Sequence, residues 1–321
     1  VSLARRRVVI TDCDHGTVDR ELAILRPHDV HVATCRTEED VLAAAEGADA
    51  IICQYAPITD RVLAGLSSCD VVVRYGVGVD NIDVAAATRR GIWVANVPDY
   101  GVEEVADHAL ALTLNLLRGV TRLDHHVRAG GWDYRVVRPL TRISSLTVGV
   151  LGHGRIGATY ARKVRALGPE VIVSDVRTLD DGVRQVPLAE LFARAHLISV
   201  HVPAEGQDGV LLGEHEFAAM RDGAFLVNTA RGALVDHQAL LAALDSGKLA
   251  GAALDVLDQE PPGSKVLTGH ERVLVTPHSA WYSEEAFRML KDEVAHEVVR
   301  VLTSEPPRNP VNDIRQSARH A

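Results

Sequence analysis

The sequence predicts an α/β protein made of two doubly wound, parallel-sheet domains. Three observations carry this prediction. Short β-branched runs alternate with helical segments from Arg7 to about Asn96; the alternation breaks at Asn96-Val97-Pro98-Asp99; and it resumes from Leu146 to Thr276 behind a glycine-rich turn. Strands that alternate with helices pair in parallel and are covered on both faces, which gives a three-layer sandwich. A chain of 321 residues is long enough for two such cores.

Composition excludes several classes. Apolar content of 47% with 24% charged residues describes a folded chain. A net charge of −9 argues against a non-specific nucleic-acid surface, which needs a positive face to displace counterions. The basic run Arg5-Arg6-Arg7 leads into Val8-Val9-Ile10, too short for a signal-peptide core or a membrane span. Cys13, Cys35, Cys53 and Cys69 form no C-x-x-C pair, which suits reduced thiols in a cytoplasmic protein.

In the first domain the expected strands are 8–11, 30–33, 50–53, 71–74 and 92–95, with helices at 38–46 and 81–89 among the segments between them. A long amphipathic helix over 102–117 carries Glu103, Glu104 and Asp107 in its early turns, where they complement the dipole, and is expected to cross between domains. Residues 119–145, with Gly130-Gly131-Trp132, read as a helix plus an irregular arm, suited to a dimer interface or to a plain surface loop. Strands at 148–151, 171–174, 197–201, 224–228, 251–254 and 273–276 complete the second domain. A last helix from Ser283 to about Leu302 has a serine cap and Glu284-Glu285 in its first turn, and it returns the chain to the first domain. The expected boundaries are therefore 1–99 with 290–321 for one domain and 100–289 for the other.

The second domain opens with Thr147-Val148-Gly149-Val150-Leu151, then Gly152-His153-Gly154-Arg155-Ile156-Gly157, then a helix, then a strand ending in Asp175. Each glycine stands there for a physical reason. Gly152 makes the tight turn, Gly154 keeps no Cβ between backbone and pyrophosphate, and Gly157 lets the helix pack close to the sheet. The helix N-terminus turns free N–H groups and partial positive charge toward the phosphates. Asp175 sits where a carboxylate accepts from both ribose hydroxyls and repels a 2′-phosphate, so the turn predicts a Rossmann-like domain that binds NAD. Arg177 is near enough to meet a 2′-phosphate, but the acid argues the other way.

Ligands of open parallel sheets bind beyond the carboxyl ends of the strands. Those ends hold His201-Val202-Pro203, Asn228-Thr229-Ala230-Arg231-Gly232, Asp255 with Glu260-Pro261 near it, and Pro277-His278-Ser279-Ala280. Reducing a carbonyl by hydride transfer needs an acid for the oxygen and a cation for a neighbouring carboxylate. An imidazole ionises near neutrality, so His278 suits the acid. Glu260, hydrogen-bonded to it, would favour the imidazolium. Arg231 offers a planar fork for the carboxylate and carbonyl oxygens of a 2-oxo acid. Glu104 and His108, four apart on one helix, and His125-His126 lack a third ligand at metal-site spacing, so no metal is expected.

These residues resemble the D-2-hydroxyacid dehydrogenase family, which includes D-3-phosphoglycerate dehydrogenases. The motifs Arg74-Tyr75-Gly76-Val77-Gly78-Val79-Asp80-Asn81, Gly152–Gly157, Asn228–Gly232, Asp255 with Glu260-Pro261, and Thr276-Pro277-His278 match in type and order. The resemblance implies a flavodoxin-like substrate domain beside an NAD-binding Rossmann domain. It also implies roles: Arg231 binds substrate, Glu260 tunes the histidine, and His278 transfers the proton. Asp255 would lie near the nicotinamide amide, with Gly152, His153, Gly154, Arg155, Ile156, Gly157, Asp175, His201, Val202, Pro203, Thr229, Ala230, Arg231 and His278 also on the cofactor. Arg74 and the Gly76, Val77, Gly78 turn would meet the substrate carboxylate.

Within the family the sequence is most similar to the C-terminal binding protein branch, through Gly223–Gly232 and Pro277–Ser283. That likeness implies a substrate pocket including Trp281, with Tyr55 and Tyr100, for a 2-oxo acid with an apolar or aromatic side chain; Tyr55 and Tyr100 are equally suited to packing. Two readings follow. One is a cytoplasmic, homodimeric NAD-dependent enzyme on a D-2-hydroxy acid and its 2-oxo acid, closing about crossings near 97–101 and 283–290. The other is an NAD(H)-sensing, corepressor-like interaction protein with little turnover, which would keep the same three side chains.

Overall fold

Every ladder between strands is parallel, and the sequence shows why: the inner strands are short runs of Val, Ile, Leu and Ala buried on both faces, which suits sheets covered by helices above and below. A computed structural model describes residues 5–204 and 209–314. The chain divides into two compact units, Val1–Gly101 with Ser283–Ala321, and Val102–Tyr282. Residues 1–4 and 315–321 of the expected first domain lie outside the described residues.

The first unit carries β1 (Arg7–Ile10), α1 (Asp19–Ile24), β2 (Asp29–Val32), α2 (Glu38–Ala44), β3 (Ala50–Cys53), α3 (Asp60–Gly65), β4 (Val71–Arg74), α4 (Val84–Arg89) and β5 (Trp93–Ala95). Its sheet runs β2-β1-β3-β4-β5, the flavodoxin-like order, with Val8 paired to Ala50 and Val71 to both Ala50 and Trp93. Val9, Ile51, Val72 and Val94 share a core with Val41, Val62 and Ala86 from the covering helices. Thr37 caps α2 with its side chain and completes a capping box with Asp40.

The second unit carries α5 (Val102–Arg118), α6 (Val120–Arg128), β6 (Thr147–Leu151), α7 (Arg155–Arg165), β7 (Glu170–Ser174), β8 (Arg184–Gln185), α8 (Leu188–Arg194), β9 (Leu197–Val200), α9 (Glu214–Ala219), β10 (Ala224–Asn228), α10 (His237–Asp245), β11 (Leu249–Leu254) and β12 (Val273–Val275). Its seven strands run β12-β11-β10-β9-β6-β7-β8. One face packs Leu191, Phe217, Leu240 and Leu244; the other packs Ala106 and Ala109 of α5 and Tyr160 and Val164 of α7. Two short 3-10 turns, Tyr134–Val137 and Ile143–Ser145, make up the regular part of the arm after α6.

Three elements differ from the sequence expectation. The strand β8 pairs Arg184 and Gln185 with Ile172 and Val173, the Arg184 guanidinium also bonding Glu170 of β7, and its exposed polar residues give no apolar signal. Helix α5 does not cross between units: it lies wholly in the second, where it packs on α7. The last helix, α11 (Glu284–Leu302), is capped by Ser283 and lies wholly in the first unit, its Leu290, Val294 and Val298 buried. The expected boundary at 289/290 thus falls inside a helix. Beyond it, the Asn312 side chain accepts from Val94 N–H at 2.8 Å and Pro310 bridges Ala95, so the returning chain covers the outer edge of β5.

Candidate active site

The glycine turn between β6 and α7 is built as its spacing requires. Gly152 has φ +90°, and a Cβ there would stand 2.7 Å from the His201 carbonyl oxygen. A Cβ on Gly157 would run into the Gly152 carbonyl oxygen, so the close crossing of turn and helix needs glycine at both positions. At Gly154, the residue preceding α7, a Cβ would meet nothing within 4 Å. Steric freedom at that point, a helix N-terminus just beyond it, and a buried Thr229 hydroxyl with no hydrogen-bond partner all fit a dinucleotide.

Asp175 follows β7, and its carboxylate is already engaged. Oδ2 accepts from His153 N–H at 2.7 Å and Oδ1 from Arg177 N–H at 2.9 Å, while the Arg177 guanidinium reaches both oxygens at 3.0 and 3.1 Å. The guanidinium bond first, then these backbone bonds, hold the carboxyl well below the usual carboxylate range despite partial burial. From the sequence Arg177 is set only against a 2′-phosphate; in the structure its guanidinium is a partner of Asp175. The His153 imidazole is buried and its Nε2 bonds Asp181 at 2.7 Å, so this ring ties the turn to the loop after β7. His201 turns its ring inward, 2.8 Å from Ser199 Oγ and 5.0 Å from the Tyr160 ring centroid, and burial pushes its pKa down to about 3. What His201, Val202 and Pro203 present at the strand end includes the His201 carbonyl beside Gly152.

Beyond β10, β11 and β12, three loops assemble a second group. The Asn228 side chain bonds both Ala230 N–H (3.0 Å) and the Arg231 carbonyl (2.8 Å), bracing the turn that carries Arg231. Gly232 lies flat on the backbone of Leu257 and Asp258, where no Cβ fits, so this turn rests directly on the Glu260 loop. Glu260 Oε1 accepts from Leu257 N–H at 2.8 Å, and its Oε2 lies 2.7 Å from His278 Nδ1. Burial raises the Glu260 carboxyl, but the bonds from His278 and Leu257, with the charges of His278 and Arg231, outweigh it and leave the group below its ordinary range. An ionised carboxylate only accepts, so His278 donates through Nδ1–H.

The loop bearing His278 is pinned from below by Asp255. That buried carboxylate accepts from the Thr276 hydroxyl, Ser279 N–H (3.0 Å) and Ala280 N–H (2.9 Å). His278 itself has φ +51°, a strained value for an imidazole side chain, and its N–H bonds the Asp255 carbonyl at 2.8 Å. Trp281 Nε1–H donates to the His278 carbonyl at 3.1 Å, which fixes the indole beside the histidine. His108 of α5 adds a bond from Nε2 to Thr276 Oγ1 at 3.0 Å. Asn228 and Thr276 stand inside the sequence motifs with no role of their own assigned there, and His108, paired in the sequence with Glu104 as a metal candidate, instead braces the Thr276 hydroxyl.

The remaining expected residues lie in the first unit, at the carboxyl ends of β3, β4 and β5. Buried Asp12 takes N–H bonds from Gln54 (2.9 Å), Tyr55 (2.6 Å) and Ala56 (3.1 Å), leaving the Tyr55 ring exposed. Gly76 has φ +131°, and the Arg74 guanidinium occupies the space a Cβ would need, with Tyr100 Oη 3.6 Å from it. Arg74 Nε is buried without a partner. Asn96 Nδ2 holds the Val77 carbonyl, shaping the turn that ends in Gly78.

Residues 110–280 match the family described as D-isomer specific 2-hydroxyacid dehydrogenase, NAD binding domain. A glyoxylate reductase of Korarchaeum cryptofilum is 37% identical over 266 residues, covering 80% of this chain and 80% of that protein. The chain belongs to this family. A D-3-phosphoglycerate dehydrogenase of Archaeoglobus fulgidus is 35% identical over 88% of this chain but over 55% of its own length, so the chain spans about half of that relative. The dehydrogenase fold is equally clear in three dimensions. A crystal structure of D-lactate dehydrogenase from Aquifex aeolicus, complexed with NAD and lactic acid, superposes with a TM-score of 0.84 at 27% identity, over 93% of this chain and 96% of that one. Among the described residues no group of three or more His, Cys, Asp or Glu is placed to hold a metal, and no helix is long and apolar enough to cross a membrane.

Proposed function

We propose that this protein interconverts a D-2-hydroxy acid and its 2-oxo acid with NAD(H). The observation that carries the reading is the 2.7 Å bond between His278 and Glu260, in one loop cluster with Arg231 at the carboxyl ends of the sheet that begins with the glycine turn. Gly152 to Gly157 and the first turn of α7 would hold the pyrophosphate, Asp175 the adenosine ribose, and Val202, Pro203, Thr229, Ala230 and Asp255 would border the nicotinamide half. When bound there, NADH would supply the hydride for C2 of the oxo acid. His278, held through Nδ1 by Glu260, gives a proton from Nε2 to the carbonyl oxygen in reduction and takes it back in oxidation. Arg231 pairs with the substrate carboxylate through its planar fork, and Trp281 packs against the side chain of the acid. In the first unit, Arg74 and the N–H groups of Gly76, Val77 and Gly78 are assigned to the carboxylate, and Tyr55 and Tyr100 to the side chain.

Placement in the cytoplasm as a homodimer is part of the same proposal. Four free cysteines support the first, and the second is supported by Trp132 and Tyr134, 90% and 66% exposed on the arm after α6. Oxidation of NADH against a panel of aromatic, aliphatic, thioether and phosphorylated 2-oxo acids tests the activity. Turnover with at least one class, lost in His278→Ala, is the expected result. Tight NADH binding with negligible turnover across the panel overturns it in favour of an NAD(H) sensor.

A further inference from the structure

A buried cluster in the first unit takes no part in the proposed reaction. Lys291 of α11 is 1% exposed and Glu21 of α1 is 0% exposed. Lys291 Nζ donates to Glu21 Oε1 at 2.9 Å and to Cys13 Sγ at 3.4 Å, and it lies 5.6 and 5.2 Å from the ring centroids of Tyr75 and Phe287. Tyr75 Oη donates to the same Glu21 oxygen at 2.8 Å. The other oxygen, Oε2, is buried with no partner. His15 stands edge-on to Tyr75, and burial together with Lys291 and Arg74 pushes its pKa down to about 4, so it brings no second positive charge near neutral pH.

Cysteine placement singles out Cys13. Cys35, Cys53 and Cys69 are buried, and burial pushes the Cys53 and Cys69 thiols up to about 12. Cys13 is partly exposed, in the loop between β1 and α1, and it has an ammonium beside its sulfur, the surroundings that make a thiol reactive. We propose that Cys13 Sγ and Lys291 Nζ form a reversible oxidative cross-link, an S–O–N bridge produced by dioxygen. Lys291 first passes a proton to Glu21, whose Oε1 already accepts from it and whose Oε2 has no competing donor. The thiol S–H and one amine N–H then break, S–O and O–N bonds form, and the second oxygen atom leaves as water. Sulfur and nitrogen together give up the four electrons that dioxygen takes. An oxygen atom fits between two atoms 3.4 Å apart with less movement than a direct bond would need.

The bridge would tie the β1–α1 loop to α11 across 278 residues of sequence. Asp12, next to Cys13, holds the Gln54–Ala56 turn, and Tyr75, bonded to the same Glu21 as Lys291, precedes Gly76, so the link would lie beside two of the loops assigned above to substrate. That consequence rests on the proposed function; the cross-link does not. Peptide mapping of the full chain, held in air-saturated buffer or under dithiothreitol, separates the two. In air the expected product is a linked pair of peptides containing Cys13 and Lys291, heavier than their sum by one oxygen less two hydrogens. It is lost on reduction and absent from Cys13→Ser, which unfolds at the same temperature as the parent. Recovery of Cys13 solely as free thiol or as sulfinic or sulfonic acid, with Lys291 open to acetylation once the chain is denatured, overturns the proposal. A change in KM on oxidation, without change in the reduced Cys13→Ser variant, reports the effect on the loops.

Discussion

His278 and Glu260 are 18 residues apart in sequence and 2.7 Å apart at Nδ1 and Oε2, and the carboxylate oxygen not used in that bond is held by Leu257 N–H. The carboxylate is therefore fixed before it fixes the imidazole. Replacing Glu260 by Gln keeps the shape and removes the charge that accepts from His278 Nδ1–H, so kcat for reduction of the oxo acid in Glu260→Gln is expected to fall while NADH binding is kept. His278→Ala is expected to lose about 10²–10⁴ in kcat while NADH binding, read by fluorescence, changes little. Unaltered kcat in His278→Ala would remove it as the acid.

Arg231→Lys keeps the charge and discards the fork. With one bidentate pair reduced to a point charge, kcat/KM for the oxo acid should fall by about 10- to 100-fold, the equivalent of one charged hydrogen bond of ~1.5–3 kcal/mol. NADH affinity measured by titration should stay near that of the parent.

Two glycines of the same turn are expected to fail in opposite ways. A Cβ at Gly154 meets no protein atom within 4 Å, so Gly154→Ala should fold normally and weaken NADH by about tenfold or more, ~1.4 kcal/mol. A Cβ at Gly157 runs into the Gly152 carbonyl oxygen, so Gly157→Ala should cost about 1–3 kcal/mol of unfolding free energy. Urea unfolding beside NADH titration distinguishes the two.

Stability should decline in mild acid. His201 and His15 have pKa values pushed down to about 3 and about 4 from 6.5. Between those values and 6.5 the unfolded chain binds more protons than the native one, so stability rises with pH through that window and is lost as pH falls below about 6.5. The expected slope is at most about 1.4 kcal/mol per pH unit for each histidine. His201→Asn should flatten the dependence measured by urea unfolding between pH 7 and pH 4.5.

The Glu21–Lys291 pair gives a test in the other unit. Lys291→Met leaves a buried carboxylate without its cation and should cost about 3–5 kcal/mol, whereas Glu21→Gln combined with Lys291→Met should recover much of that loss. Equal destabilisation in the single and double variants would show that packing, not charge, holds the cluster.

The amino-acid sequence by itself determined what depends on neighbours along the chain. Runs of Val, Ile and Leu between helical segments specify parallel strands, Gly152, Gly154 and Gly157 specify the turn, and Asp175 marks the end of β7, because strand burial, backbone reach and helix packing act over a few residues. Only the tertiary structure decided what depends on meetings between distant segments: the pairing of β8 with β7, the inward turn of His201, the clamp of Asp255 under the His278 loop, and the meeting of Cys13, Glu21 and Lys291. Even Arg177, two residues from Asp175, was beyond a local reading, since the sequence states its charge but not where its guanidinium points. Hydrogen bonds and desolvation are set by distances in space, and a one-dimensional pattern carries those distances only where the backbone itself imposes them.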